Sequence, residues 1–176
     1  MIEYIPILLK GAWFSLQIAT FSLAIGLIFG LILGILNCNT LKVPIISQII
    51  SSFVLIIRGT PVYVQVLIIY FALPELIGIN LSPFVAGILA LGINSTAYIT
   101  EIIRCGINAI SQGQWDAAYV LGYSKYKTLK HIIIPQMFKN VSPILTNESV
   151  TLVKETSLLS SIGVIELTKI GKNIIA

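Results

Sequence analysis

Charge is what this sequence has least of: 10% of its 176 residues are Asp, Glu, Lys or Arg, against roughly 25% in an ordinary soluble domain. So few charges cannot cover a water-facing surface. With 56% hydrophobic residues and a mean hydropathy of +0.96, the composition excludes a soluble globular domain and points to the bilayer as solvent. Cysteine is almost as scarce. Cys38 and Cys105 lack metal-ligand spacing and form no disulfide framework, so both are expected to be small, reduced hydrophobes at helix ends. His131 is the one histidine, expected at the membrane interface, and there is no Gly-x-Ser-x-Gly, no His-Glu-x-x-His and no cluster of metal ligands. The chain is therefore expected to hold no catalytic residue and no metal. The Gly171-Lys172 dipeptide is followed by Asn173 and lacks the preceding glycine of a phosphate-cradling loop, so no ATP site is expected either. The net charge of +4 is scattered singly rather than gathered in a stripe, which argues against nucleic acid as a partner.

What the sequence does have is long apolar runs. The first, Gly11 to Leu36, exceeds the core of a signal peptide and is followed by no small-residue cleavage pattern, so it is expected to remain as a spanning anchor in lipid. Four spans are expected, at about 12–36, 50–73, 83–103 and 142–164, giving an all-α polytopic transmembrane bundle. In the first span Gly26, Gly30 and Gly34 fall on one helix face, a surface for close packing within the same chain rather than for a dimer seam. The start of the second is open between Ile49 and Ile57, because Arg58-Gly59-Thr60-Pro61 interrupts the run and Pro61 can bend a membrane helix without ending it. Arg58 reads either as an interfacial anchor or as a gating group. Glu101 and Arg104, at i,i+3, are expected to pair locally.

The basic residues set an orientation. The loop Pro74 to Ser82 has no Lys or Arg, whereas Lys42, Arg58, Arg104, Lys125, Lys127 and Lys130 cluster at the other ends of the spans. The positive-inside rule then puts the N-terminus outside and the loop 104–139 in the cytoplasm. Glu166 to Ala176 is expected to be a polar tail on the outer side.

Two segments carry function. Ser111 to Gly122 reads as a short helix, with Ser111 and Gln114 as a capping box and Gly122 as the left-handed stop. It is expected to present Trp115, Ala118, Tyr119 and Leu121 to a groove on a partner, with Asp116 as a charge for an Arg or Lys. In the fourth span, Glu148, Thr151 and Glu155 share a stripe that overlaps one made by Asn147, Thr151 and Lys154. Ionisable groups within a span are costly and usually mark a ligand or ion route. A substrate pathway along Asn147, Glu148, Thr151, Glu155 and Ser157 is therefore expected, with internal pairing of Lys154 and the glutamates as the competing reading.

The spacing Asp116-Ala117-Ala118, three residues, Gly122, nine residues, Ile132, one residue, Ile134-Pro135 resembles the EAA loop of bacterial ABC importer permeases. It differs in Asp116 for Glu and Ile134 for Leu. Arg58-Gly59-Thr60-Pro61 with Gln65, the stretch Ala97 to Arg104, and Lys154-Glu155-Thr156-Ser157-Leu158 resemble segments of the polar amino-acid permeases of the histidine, glutamine and arginine uptake type. The resemblance implies a type I importer permease fold in the bacterial inner membrane, with a fifth span beyond the four counted here. It implies that Trp115, Asp116, Ala117, Ala118, Leu121, Gly122 and Pro135 couple the chain to a separate ATPase that binds ATP and magnesium. A second permease subunit, a surface or periplasmic binding protein and membrane lipid are the other implied partners. Glutamine is the favoured substrate, with cationic amino acids left open by the acidic span. A secondary transporter or channel not driven by ATP is the competing class.

Overall fold

The computed structural model describes residues 4–175, and among them every regular element is helical. Helix α1, Ile5–Leu36, lies along α5, Pro83–Asn108, and the reason is legible in α1. Gly11, Ser15, Ser22, Gly26, Gly30 and Gly34 make a buried stripe of small residues, which lets two backbones approach closely. A Cβ added at Gly30 would lie 2.7 Å from the Ile99 side chain and 3.1 Å from the Thr100 amide nitrogen. At Gly34 it would lie 2.8 Å from the Thr100 carbonyl. The glycine face thus packs within the chain, as its sequence suggests.

Between these helices, α2, Pro44–Arg58, breaks at Gly59–Pro61. The chain resumes as α3, Val62–Leu67, a π-helical turn over Ile68–Ala72, and α4, Leu73–Ile77. The two halves meet at 101°, so the expected second span over 50–73 is not one continuous rod. It starts earlier, at Pro44, and turns a sharp corner at the proline. A second π-helical turn, Leu129–Ile133, follows the short α7, Lys125–Thr128, and leads into α8, Ile134–Glu155. Each π turn ends two residues before a proline, Pro74 or Pro135. Proline has no N–H and crowds the carbonyl four residues back, so a locally wider turn is where such a residue fits.

By length and composition α1 and α5 can each cross a membrane, and the bent pair can supply a third crossing. The expected fourth span is shifted. Its helix begins at Ile134, eight residues before Ser142, and gives way to a 3-10 turn over Thr156–Ile162. Residues 166–175 are also not the tail expected. They form α9, Leu167–Ile175, docked on the first turns of α1 through buried Ile170, whose Cδ1 would lie 2.7 Å from a Cβ added at Gly11. Glu166 is buried and caps this helix, its carboxylate accepting from the amides of Thr168 at 2.8 Å and Lys169 at 2.7 Å. Ala176 lies outside the described residues.

α5 organises the bundle, and its sequence divides the interior into layers. Ala86, Ala90 and Leu91 belong to one apolar cluster with Ile18, Leu152 and Leu159. Ile99, Ile103 and Ile107 belong to another with Trp115, Met137 and Val141. Between them Asn94, Ser95 and Thr96 form a buried polar waist.

Candidate functional site

The helix expected at Ser111 to Gly122 exists as α6, Gln112–Val120, and its stop is the one foreseen. Gly122 has φ +78°, a left-handed conformation that costs an L-residue roughly 1–2 kcal/mol. The start differs, because the Ser111 side chain makes no capping bond. The Gln114 side chain instead accepts from Gln136 Nε2 of α8 at 3.3 Å, tying α6 to the bundle. The exposed face differs too. Trp115 is 8% and Ala118 1% exposed, turned onto the chain's own core, while Tyr119, Val120 and Leu121 stand out at 81%, 83% and 74%. Trp115 and Ala118 therefore seat the helix rather than presenting a contact surface. Asp116 and Ala117 are exposed beside that apolar tip, with Asp116 Oδ1 accepting from Gln112 Nε2 at 3.1 Å. Pro135 is exposed in the first turn of α8.

The polar face of α8 is open rather than closed. Asn147 is exposed, and Glu148, Thr151, Glu155 and Ser157 are half-buried. Ser157 leaves the helical register, since it lies in the 3-10 turn. The Thr151 hydroxyl donates to the Asn147 carbonyl at 3.0 Å, an ordinary local bond. Glu148 and Glu155 lie two turns apart on one stripe of α8. Lys154 is exposed, and among the described residues the ion pair found is Arg104 with Glu101, at 2.6 Å. The glutamates of α8 are thus not tied up by Lys154. Among the described residues Ser95 Oγ is buried with no hydrogen-bond partner; it packs against α1, 2.5 Å from where a Cβ at Gly26 would sit.

Arg58 is exposed at the end of α2. Its guanidinium lies over the Tyr98 ring, 5.1 Å from the centroid. Two cavities meet at this pair: one of about 600 Å³ reaching Asn37, Ser51, Glu101 and Arg104, and one of about 360 Å³ reaching Cys105, Asn140 and Ile144. The expected Glu101–Arg104 pair is present and bidentate, at 2.9 and 2.6 Å. Cys105 is exposed beside it, whereas Cys38 is fully buried.

The corner that aims Arg58 has its own support, which sequence reading missed. Pro61 has no N–H, so the Ile57 carbonyl four residues earlier loses its helical donor. Gln65 Nε2 supplies one at 2.7 Å and also donates to Thr60 O at 3.1 Å and Thr60 Oγ1 at 2.9 Å. Asn94 Nδ2 on α5 then donates to Gln65 Oε1 at 3.1 Å. A glutamine four residues beyond a mid-run proline was the available signal for this clasp. Nothing in the sequence marked Asn94 as its partner.

Comparison with known proteins adds the decisive observation. Residues 26–174 match the family model described as binding-protein-dependent transport system inner membrane component. The chain belongs to that family. Among relatives, it is 43% identical over 92% of its length to the arginine transport system permease protein ArtQ of Bacillus subtilis (strain 168), covering 73% of that protein. It is 40% identical over 98% of its length to the glutamine transport system permease protein GlnP of Escherichia coli (strain K12), covering 78% of it. Among solved structures, an amino acid ABC transporter with histidines superposes with a TM-score of 0.90 at 38% identity, covering 99% of this chain and 80% of that one. The MetNI methionine ABC transporter in an inward-facing conformation, 19% identical, superposes at 0.84 over 97% of this chain and 81% of that one, a likeness of fold alone. The all-α type I importer permease architecture is therefore that of this membrane-embedded family.

Proposed function

We propose that this chain is the permease subunit of an ATP-driven importer of a polar amino acid, glutamine being the favoured substrate, and that a separate ATPase drives it through α6. The observation that carries the reading is the apolar tip Tyr119-Val120-Leu121, more than 70% exposed on a helix whose other side is anchored by Trp115 and Ala118. A tip of that kind, stopped by a left-handed glycine, suits insertion into a groove on a partner. Family membership, and the amino-acid substrates in the names of ArtQ and GlnP, support the cargo class. A second permease subunit and a binding protein that delivers the amino acid complete the assembly. The N-terminus is proposed to lie outside and the basic loop around α6 in the cytoplasm.

In this mechanism ATP closes two ATPase subunits, their motion is passed to α6, and the permease halves rock between outward-open and inward-open states. ATP and substrate must each favour a different state, since a ligand with equal affinity for both shifts nothing. The face Asn147, Glu148, Thr151 and Glu155 lines the path. Glu148 and Glu155 can take the substrate's ammonium group, while Thr151 and Ser157 contribute hydroxyls. One observation favours a second cargo, a cationic amino acid such as arginine: one stripe of α8 carries two carboxylates, and among the described residues neither forms an ion pair. Reconstitution with the ATPase and binding protein, with ATPase activity measured against each amino acid, tests both. Stimulation by glutamine supports the first cargo and stimulation by arginine alone the second. No stimulation by any amino acid refutes the function.

A further inference from the structure

Arg58 lines the larger cavity, among polar residues and Val54 and Leu55, and is itself exposed. Among the described residues it forms no ion pair, whereas the neighbouring Arg104 is fully engaged with Glu101. Two guanidiniums thus share one carboxylate around this space. The central carbon of the Arg58 guanidinium lies over the Tyr98 ring, 5.1 Å from its centroid. A cation–π contact of this kind favours that placement of the guanidinium, and its N–H groups, which make no hydrogen bond among the described residues, can bind a planar anion through two parallel hydrogen bonds. The cavity offers about 600 Å³, with the Asn37 amide and Ser51 hydroxyl also on its wall, within the size range of small-molecule sites.

Its position matters as much as its chemistry. Tyr98, Glu101 and Arg104 lie in the second half of α5, toward the end that carries Asn108 and the loop to α6. The polar face of α8 does not line this cavity. The Gln65 and Asn94 clasp fixes the corner from which Arg58 projects.

We propose that Arg58, held on Tyr98, is a second binding station that takes the α-carboxylate of the amino acid after it leaves the face of α8, on the side where α6 meets the ATPase. This rests on the amino-acid importer reading. The station recognises the main-chain carboxylate common to all amino acids and is indifferent to the side chain. Substrate returning from the ATPase side occupies it and slows uptake.

The test uses the whole importer in proteoliposomes with ATP in the lumen, so that the lumen is the ATPase side. Uptake of labelled L-glutamine or L-arginine is measured while the same amino acid, or its α-carboxamide, is loaded in the lumen. The expected result is inhibition by the luminal free acid, weaker by about tenfold or more for the amide, as for loss of a charge-assisted pair. Arg58→Gln is expected to raise the luminal inhibition constant about tenfold relative to the external half-saturation constant, and Arg58→Lys to raise it less. Equal inhibition by acid and amide overturns the proposal even if the variants fail to assemble. So does a luminal constant that Arg58→Gln leaves in the same ratio to the external one, which would assign Arg58 to packing or lipid headgroups. Wild-type uptake with no luminal inhibition overturns the station while leaving the importer reading intact, whereas uptake of neither amino acid refutes both.

Discussion

Replacing Gln65 by Leu asks how the corner between α2 and α3 is held. Gln65 is 7% exposed, so leucine fills similar space without meeting water, but it can neither donate to Ile57 O nor accept from Asn94 Nδ2. Asn94 Nδ2 is then stranded, whereas Ile57 O keeps the Thr60 hydroxyl as a donor at 3.2 Å. In soluble proteins such a group costs about 1–3 kcal/mol, whereas side-chain hydrogen bonds inside membranes average about 0.6 kcal/mol. Together these bracket the loss at roughly 1–3 kcal/mol. The double variant Gln65→Leu, Asn94→Leu removes the stranded group along with its partner, so it should be less destabilised than the sum of the single variants by about 1 kcal/mol. Unfolding of the purified complex by graded SDS, followed by helicity, gives all four corners of the cycle. Strict additivity, within about 0.5 kcal/mol, would refute the clasp as a coupled unit.

Other outcomes follow from single residues. Gly30→Ala places a methyl 2.7 Å from the Ile99 side chain, forcing α1 and α5 apart; the variant should yield little assembled complex on size-exclusion chromatography. Glu166→Ala strands the Thr168 and Lys169 amides and, as for other lost caps, should cost about 1 kcal/mol, seen as faster proteolysis near α9, with Glu166→Gln milder. Gly122→Val forces a β-branched residue into φ +78° and should release the ATPase on copurification while leaving the permease dimer intact. Glu148→Gln and Glu155→Gln should each lower substrate-stimulated ATPase activity without loss of assembly, and unchanged activity in both would remove α8 from the pathway.

Local signals made much of this molecule readable in advance, and tertiary ones did not. A glycine every four residues in α1 can serve only close packing, and α5 is where it packs. Gly122 ends α6 because the chain there needs a positive φ. The orientation of α6 was not legible, since Trp115 and Tyr119 are both aromatic and which one faces inward depends on Ile103, Leu129 and their neighbours from distant segments. The corner at Pro61 was readable as a bend but not as 101°, because its angle is held by Asn94, twenty-nine residues beyond Gln65. α9 reads as a tail when its lysines are counted. It becomes a helix once buried Ile170 and the Glu166 cap are seen to depend on Gly11 and Ser15, the latter accepting from the Leu167 amide at 3.3 Å.

The central claim is that a separate ATPase grips the exposed tip of α6, and cross-linking tests it most directly. With a cysteine at Leu121, in a background where Cys105 is replaced, a short thiol cross-linker should join the permease to an ATPase subunit bearing cysteines along its groove, both with and without ATP. Cross-linking to lipid-facing or solvent-facing controls alone, with no ATPase adduct in any nucleotide state, would contradict the account.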